Sequence, residues 1–252
     1  MYGGTLQNCT VSNLKTTDNV FVICAPSSFF NCIITNNTVD HSSGIFRFSI
    51  PLTYGTSVLR GCLIANNSIA STYDGDSFGA IFFQEYNSGI NMNISNCTLA
   101  NNHGSVYHGT YYYYRTLKLF GSICYNSDRY GYYFYKLETQ ITFTNNALWV
   151  DEDLMTSSLI SFAFPEDIYI SNCAIGIASE AEYSGTGSNC IKLTKSSGAF
   201  FPFFNEDWTL KSNSPLKDAG SNSFVPADYT VDLKGNPRIS GSTVDIGAYE
   251  YK

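Results

Sequence analysis

The sequence predicts an all-β, single-stranded parallel β-helix (β-solenoid) of about seven to eight coils with an irregular C-terminal cap. Three observations predict it. A short string built on Asn-Cys returns seven times along the chain, apolar residues flank each return at fixed offsets, and other short β-prone runs separated by Gly, Asn and Ser lie between the returns. No stretch has the apolar period of an amphipathic helix, so helix-connected parallel units have no place in the chain.

The strings are Asn8-Cys9-Thr10-Val11, Asn31-Cys32-Ile33-Ile34, Gly61-Cys62-Leu63-Ile64, Asn96-Cys97-Thr98-Leu99, Gly121-Ser122-Ile123-Cys124, Asn145-Asn146-Ala147-Leu148 and Asn172-Cys173-Ala174-Ile175. With the second residue of each as a reference slot, the slots fall at 9, 32, 62, 97, 122, 146 and 173. Spacings of this size mark stacked repeats. Three residues before the slot stand Leu6, Phe29, Leu59, Ile94, Leu119, Phe143 and Ile170; two residues after it stand Val11, Ile34, Ile64, Leu99, Cys124, Leu148 and Ile175. Both columns must face a core. An uninterrupted strand cannot turn both inward, because the offsets differ by an odd number. The Asn or Gly just before the slot resolves this: both types enter the left-handed backbone region at least cost, and a bend there resets the alternation. Four residues after the slot, Asn13, Asn36, Asn66, Asn101 and Asn126 predict a stacked amide ladder.

A second strand per coil is predicted at Val20–Ile23, Ile45–Phe48, Ala80–Phe83, Ser105–His108, Tyr132–Tyr135 and Leu159–Phe162, four of them preceded by Gly44, Gly79, Gly104 and Gly131. Residues 1–178 therefore read as coils, and 179–252 as the last irregular coils and a cap in the same domain. At the N-terminus Leu6 already occupies a core column. The first coil is thus expected to be covered by a packing partner or by a segment missing from this chain.

Among 252 residues, 14 are basic and 21 acidic, a formal charge of −7. This excludes the basic footprint of a nucleic-acid binder, and no apolar run approaches the roughly 18 residues of a transmembrane segment. The eight cysteines form no CxxC pair and the three histidines have no cysteine at ligand spacing, so buried free thiols are expected and no metal or other cofactor is. The opening residues carry no export signal.

The tail contains Ser214-Pro215-Leu216-Lys217-Asp218-Ala219-Gly220, Asp232-Leu233-Lys234-Gly235-Asn236-Pro237-Arg238 and Val244-Asp245-Ile246-Gly247-Ala248-Tyr249-Glu250. It resembles the C-terminal signature of bacterial β-helix proteins of the choice-of-anchor Q type, and the Asn-Cys coils resemble the same family's pectate-lyase-like β-helix. The resemblance implies a right-handed superhelix and an exported, secreted or cell-surface bacterial protein, usually without an assigned reaction. The chain stops at Tyr251-Lys252 without a sorting motif.

Two places have the residue types that a binding or catalytic role requires. Asp74 and Asp76 lie in the longest coil, where extra residues must bulge outward; they read as a carboxylate pair or as a solvated Asp-Gly turn. Alignment of the second strands on their preceding glycines puts Arg47, Phe82, Tyr107 and Phe134 in one outward column. Aromatic rings stack on the CH faces of sugars, and Arg binds carboxylate bidentately. The same column reads equally as packing under a loop, and a slip of one residue reverses the face. His103 and His108 lack a local acidic partner. The expected function is noncatalytic binding of a glycan or another partner; the alternative is a polysaccharide lyase or glycoside hydrolase acting on an acidic polysaccharide.

Overall fold

A computed structural model describes residues 2–40, 44–49, 55–70, 80–84, 90–102, 105–109, 115–126, 132–134, 139–144, 147–150, 160–161, 168–171, 174–176, 187–188, 191–193 and 204–252. The described strands are built into four parallel sheets. The first stacks Tyr2–Gln7, Ala25–Phe30, Gly55–Arg60, Ile90–Ser95, Arg115–Phe120, Thr139–Thr144, Ile168–Ser171 and Gly187–Ser188. Across a corner, the second stacks Thr10–Ser12, Ile33–Thr35, Leu63–Ala65, Thr98–Ala100, Ile123–Asn126, Ala147–Val150, Ala174–Gly176 and Ile191–Leu193. A three-stranded sheet follows a second corner with Lys15–Thr16, Thr38–Asp40 and Ser68–Ala70. The fourth holds Phe21–Ile23, Gly44–Phe48, Ala80–Gln84, Ser105–Gly109, Tyr132–Phe134 and Ile160–Ser161. The chain visits the sheets in turn, and each strand pairs with its counterpart one repeat away. Among the described residues there is no α-helix, and the arrangement is consistent with a β-solenoid.

Register carries the repeat into space. Leu6, Phe29, Leu59, Ile94, Leu119, Phe143 and Ile170 are level with one another. So are Val11, Ile34, Ile64, Leu99, Cys124, Leu148 and Ile175. Phe29, Leu59, Ile94, Ile34, Ile64 and Leu99 are fully buried. The predicted bend is present as a left-handed residue at Asn8, Asn31, Gly61, Asn96 and Gly121, with φ between 50° and 64°; Asn145 and Asn172 lie outside the described residues.

The predicted asparagine ladder is displaced by one residue. Asn13, Asn36, Asn66 and Asn101 are themselves left-handed, with φ of 49° to 59°, and make the second corner. Among the described side chains of that exposed column, Asn101 Nδ2 donates to Asn66 Oδ1 at 2.8 Å. The buried ladder comes from the next position, Asn37, Asn67 and Asn102. Each Oδ1 accepts the backbone N–H of the same position one repeat earlier: the Leu14 N–H donates to Asn37 at 3.1 Å, the Asn37 N–H to Asn67 at 3.0 Å and the Asn67 N–H to Asn102 at 3.1 Å. Each Nδ2 donates back to the earlier repeat, to the carbonyls of Val11, Ile34 and Ile64. A corner breaks the ladder of sheet hydrogen bonds, and a buried N–H or C=O left open there costs about 1–3 kcal/mol. The amide satisfies both.

The cysteine slot does the same at the first corner. The Cys62 N–H points to Cys97 Sγ at 3.4 Å and the Cys97 N–H to Ser122 Oγ at 3.2 Å, while the Cys32 and Cys62 thiols face the carbonyls of Leu6 and Phe29 at 3.5 Å. Cys9, Cys24, Cys32, Cys62 and Cys97 form no disulfide; Cys32, Cys62 and Cys97 are buried as expected, whereas Cys9 and Cys24 are half-buried. The neighbouring Cys62 thiol and burial hold Cys32 protonated, and burial does so for Cys62.

The described part of the tail, 204–252, packs against repeats in the middle of the stack. It lies along the flank, on the outer side of the second sheet. Leu63, Ala65 and Ala100 share a buried cluster with Phe204, Trp208, Leu210, Leu216, Ile246, Ala248 and Tyr249. The backbone joins it, with Gly247 N–H donating to Gly121 O at 2.8 Å and Ala248 N–H to Thr98 Oγ1 at 3.1 Å. Sheet strands also continue past residue 178, through Gly187–Ser188 and Ile191–Leu193.

Removing one rung tests the corner mechanism. Asn67→Ala leaves the Asn37 N–H without a partner and removes one of the donors to the Ile34 carbonyl, and is expected to cost about 1–3 kcal/mol in denaturant unfolding. Asn66→Gly next to it, at a φ of 56° that glycine adopts freely, should stay within about 1 kcal/mol of the parent. Equal losses would refute the assignment of the rung to Asn67.

Candidate functional site

The fourth sheet and the tail carry the side chains of interest. Within Gly44–Phe48, Phe46 and Phe48 are fully buried. Phe46 stacks on Phe21 at 4.9 Å and meets Phe29 edge-on at 5.2 Å, which fixes its direction as inward. Arg47, between them, lies on the other side of the strand and is half-buried. Ile45 shares that side and is fully buried, so this part of the face is packed rather than flat and open.

The predicted column does not form as drawn. Phe82 and Tyr107 are level with each other and with Phe46, the inward residue. Phe134 is level with Gly109, Gln84 and the buried Phe48. Arg47 stands on the row between. The glycines used for the alignment are not themselves in register: Gly44 is opposite Ala80 rather than Gly79, a slip that puts Phe82 and Tyr107 on the row before Arg47, and a second slip between Tyr107 and Phe134 puts Phe134 on the row after it. The row that contains Arg47 runs Val22, Arg47, Phe83, His108, Tyr133, Ser161, one residue per repeat. It keeps the composition that the column was chosen for, with a cation, two aromatics and a histidine. Asp74 and Asp76 lie outside the described residues, as does His103.

The second feature was not legible in the spacing of the chain. Arg60 ends a strand of the first sheet, grips Asp228 of the tail through both oxygens at 3.0 Å, and lies over the rings of Phe30 and Tyr229 at 4.5 and 5.4 Å. Arg60 holds the Asp228 carboxyl below the usual carboxylate range. A Cβ at Gly61 would run into the Tyr229 hydroxyl, which explains glycine at a bend where other repeats have Asn.

Inside the tail the conserved-looking string residues prove to be internal fastenings. Asp232 accepts from the N–H groups of Lys234, Asn236 and Glu250 and from the Asn236 amide, at 2.7 to 3.0 Å. Asp245 accepts from the N–H of Asp218 and of Tyr251, both at 2.6 Å. Arg238, 1% exposed, pairs with Glu250 at 2.9 Å and donates to the carbonyls of Asp245 and Gly247. Glu250 alone of the three buried acids pairs with that cation; Asp232 and Asp245 are held chiefly by backbone N–H groups. Burial accordingly pushes Glu250 up to about 7, against the pull of Arg238, and raises Asp245 as well.

These fastenings shape a pocket of about 440 Å³ whose walls include Asn205, Lys211, Lys234, Asn236, Glu250 and Tyr251. Its lining is mostly amide, hydroxyl and ammonium. Among the described residues no group of three His, Cys, Asp or Glu could hold a metal ion, and no helix is long and apolar enough to cross a membrane. Comparison with models of known protein families, with curated proteins and with solved structures finds no match to this chain.

The buried acids set a pH dependence with a definite sign. A carboxyl raised from its ordinary 4.5 to about 7 keeps its proton in the folded chain while the unfolded chain loses it, so Glu250 makes stability fall as pH rises from 4.5 to 7. Glu250→Gln should flatten the pH profile of the unfolding midpoint across that window, by the order of 2 kcal/mol relative to the parent. An unchanged profile in the variant would show that Glu250 does not titrate there.

Proposed function

We propose that the protein is a right-handed β-solenoid of seven to eight coils, exported to the surface of a bacterium or beyond it, that binds a glycan without cleaving it. Placement of Arg47, Phe83, His108 and Tyr133 on one row of the fourth sheet carries this reading. Neighbouring strands lie about 4.8 Å apart, close to the repeat of an extended sugar chain, so one side chain per strand matches roughly one sugar per repeat. Aromatic residues supply stacking area and Arg47 a partner for a carboxylate or a hydroxyl. The tail resemblance supports an exported protein; the eight-stranded first and second sheets support the coil number.

A glycan array that includes pectic and other uronate polymers tests the proposal. The parent should bind, and Arg47→Ala and Tyr133→Ala should each weaken binding about 5- to 50-fold, the effect of about 1–2 kcal/mol for a stacked or ion-paired contact. Release of unsaturated or reducing ends from the bound polymer would replace the binding reading with the lyase or hydrolase one. Absence of binding to every acidic and neutral polymer would end both.

A further inference from the structure

The slot at the first corner holds a run of thiols rather than isolated ones. Cys9, Cys32, Cys62 and Cys97 occupy it in consecutive repeats. The positions on either side are level from repeat to repeat: Gln7 with Phe30 and Thr10 with Ile33, then Phe30 with Arg60 and Ile33 with Leu63. Backbone bonds close the same interval, with Asn8 N–H donating to Phe30 O and Ile33 N–H to Cys9 O, both at 2.9 Å. All four side chains have one disposition, each sulfur 3.1 to 3.5 Å from the carbonyl two residues before it. The sulfurs therefore recur at the strand spacing, about 4.8 Å.

Corner geometry alone does not select sulfur. Ser122 fills the slot of the next repeat and accepts the Cys97 N–H with its hydroxyl. What sulfur adds is the capacity to bond to its own copy. Cα atoms about 4.8 Å apart fall inside the window of about 4.4–6.8 Å that a disulfide spans. Access separates the four: Cys32, Cys62 and Cys97 are fully buried, whereas Cys9 is half-buried. Cys24, the other half-buried thiol among the described residues, follows the level pair Ile23 and Phe48 and so stands opposite Ser49, which has no sulfur.

We propose that Cys9 and Cys32 are a disulfide-forming pair, closed by exchange with a low-molecular-weight disulfide, that ties two consecutive repeats together at the first corner. The Cys9 sulfur attacks one sulfur of the small disulfide, forms a mixed disulfide and expels a thiolate. The Cys32 sulfur then attacks Cys9, forms the bond between the two residues and expels the second thiolate. Two cysteine thiols are oxidised, the small disulfide is reduced to two thiols, and the two cysteine protons end on those. The Cys62 thiol and burial hold Cys32 protonated, and the thiolate is the attacking form, so the second step is the slow one. The bond closes a loop one repeat long. It is independent of any glycan on the fourth sheet, since the two places share no residue.

Incubation of the folded full chain with oxidised glutathione, followed by intact mass and peptide mapping, tests it. Mapping should join Cys9 to Cys32, and a glutathione adduct at Cys9 should appear first and decay. Cys32→Ser, a residue that the same corner accepts at Ser122, should trap that adduct, while Cys24→Ser leaves the mapped bond unchanged. The oxidised chain should unfold at about 1 M more urea than the reduced one, the gain expected from closing a loop of this order. Cys9 and Cys32 that stay reduced, that map to other partners, or that join only after the chain is unfolded in urea overturn the pair. A lower urea midpoint for the oxidised chain overturns its role as a tie between repeats.

Discussion

Everything in this molecule depends on how a strand gets around a corner without leaving a buried N–H or C=O unsatisfied. A parallel stack satisfies its backbone along the sheets by register alone, but at each corner the chain leaves the ladder and the polar groups come free. Here the solution is a pair of inward polar side chains per repeat, a thiol or hydroxyl at one corner and an amide at the next. Each amide takes an N–H from the repeat before it and gives a hydrogen back to the carbonyl three residues upstream of that N–H. The Cys62 thiol does the same with the Cys32 N–H and the Phe29 carbonyl, whereas the Ser122 hydroxyl takes the Cys97 N–H and donates to Phe120 of its own repeat. The same offset at both corners, with different chemistry, means that the geometry selects the position and the space available selects the residue. A thiol fits where a core side chain is close by; an amide fits where it can also reach its own copy one repeat on.

The flank of the stack then becomes a surface to be managed. Outer positions of the second sheet include the apolar Leu63, Ala65 and Ala100, together with Thr98, whose hydroxyl accepts the Ala248 N–H of the tail. The tail exists to cover them. It has almost no regular structure of its own beyond the 3₁₀ turn Asn222–Phe224, so its conformation is held by side chains that bond its own backbone: Asp232, Asp245 and Arg238 each span several loops. Such a network is costly to desolvate and costly to break, and it specifies one arrangement of loops that propensity alone would leave open. Arg60 extends the fastening to the stack, sandwiched between a ring from each side.

That construction has a functional corollary. The strands offer one residue per repeat at a fixed pitch, suited to a polymer that repeats on the same scale. A loop-built tail offers a concave place with varied polar groups, suited to one chemical unit.

Periodicity alone determined the parallel strands, the two core columns and the left-handed bends, because those follow from offsets within a single repeat and from the few residue types that accept positive φ. The string residues of the tail were visible too, but not their purpose: Asp232, Arg238, Asp245 and Glu250 look like a signature until the loops bring them together. Tertiary structure decided what depends on register between repeats of unequal length. It moved the buried ladder from Asn36 to Asn37, since the first of the two asparagines is used up in making the bend. It separated Arg47 from Phe82 and Tyr107, since Gly44 and Gly79 are one residue out of step, and from Phe134, which a second slip puts on the row of Phe48. It laid the tail along the flank, where residues more than a hundred positions apart meet, a contact that no local pattern encodes.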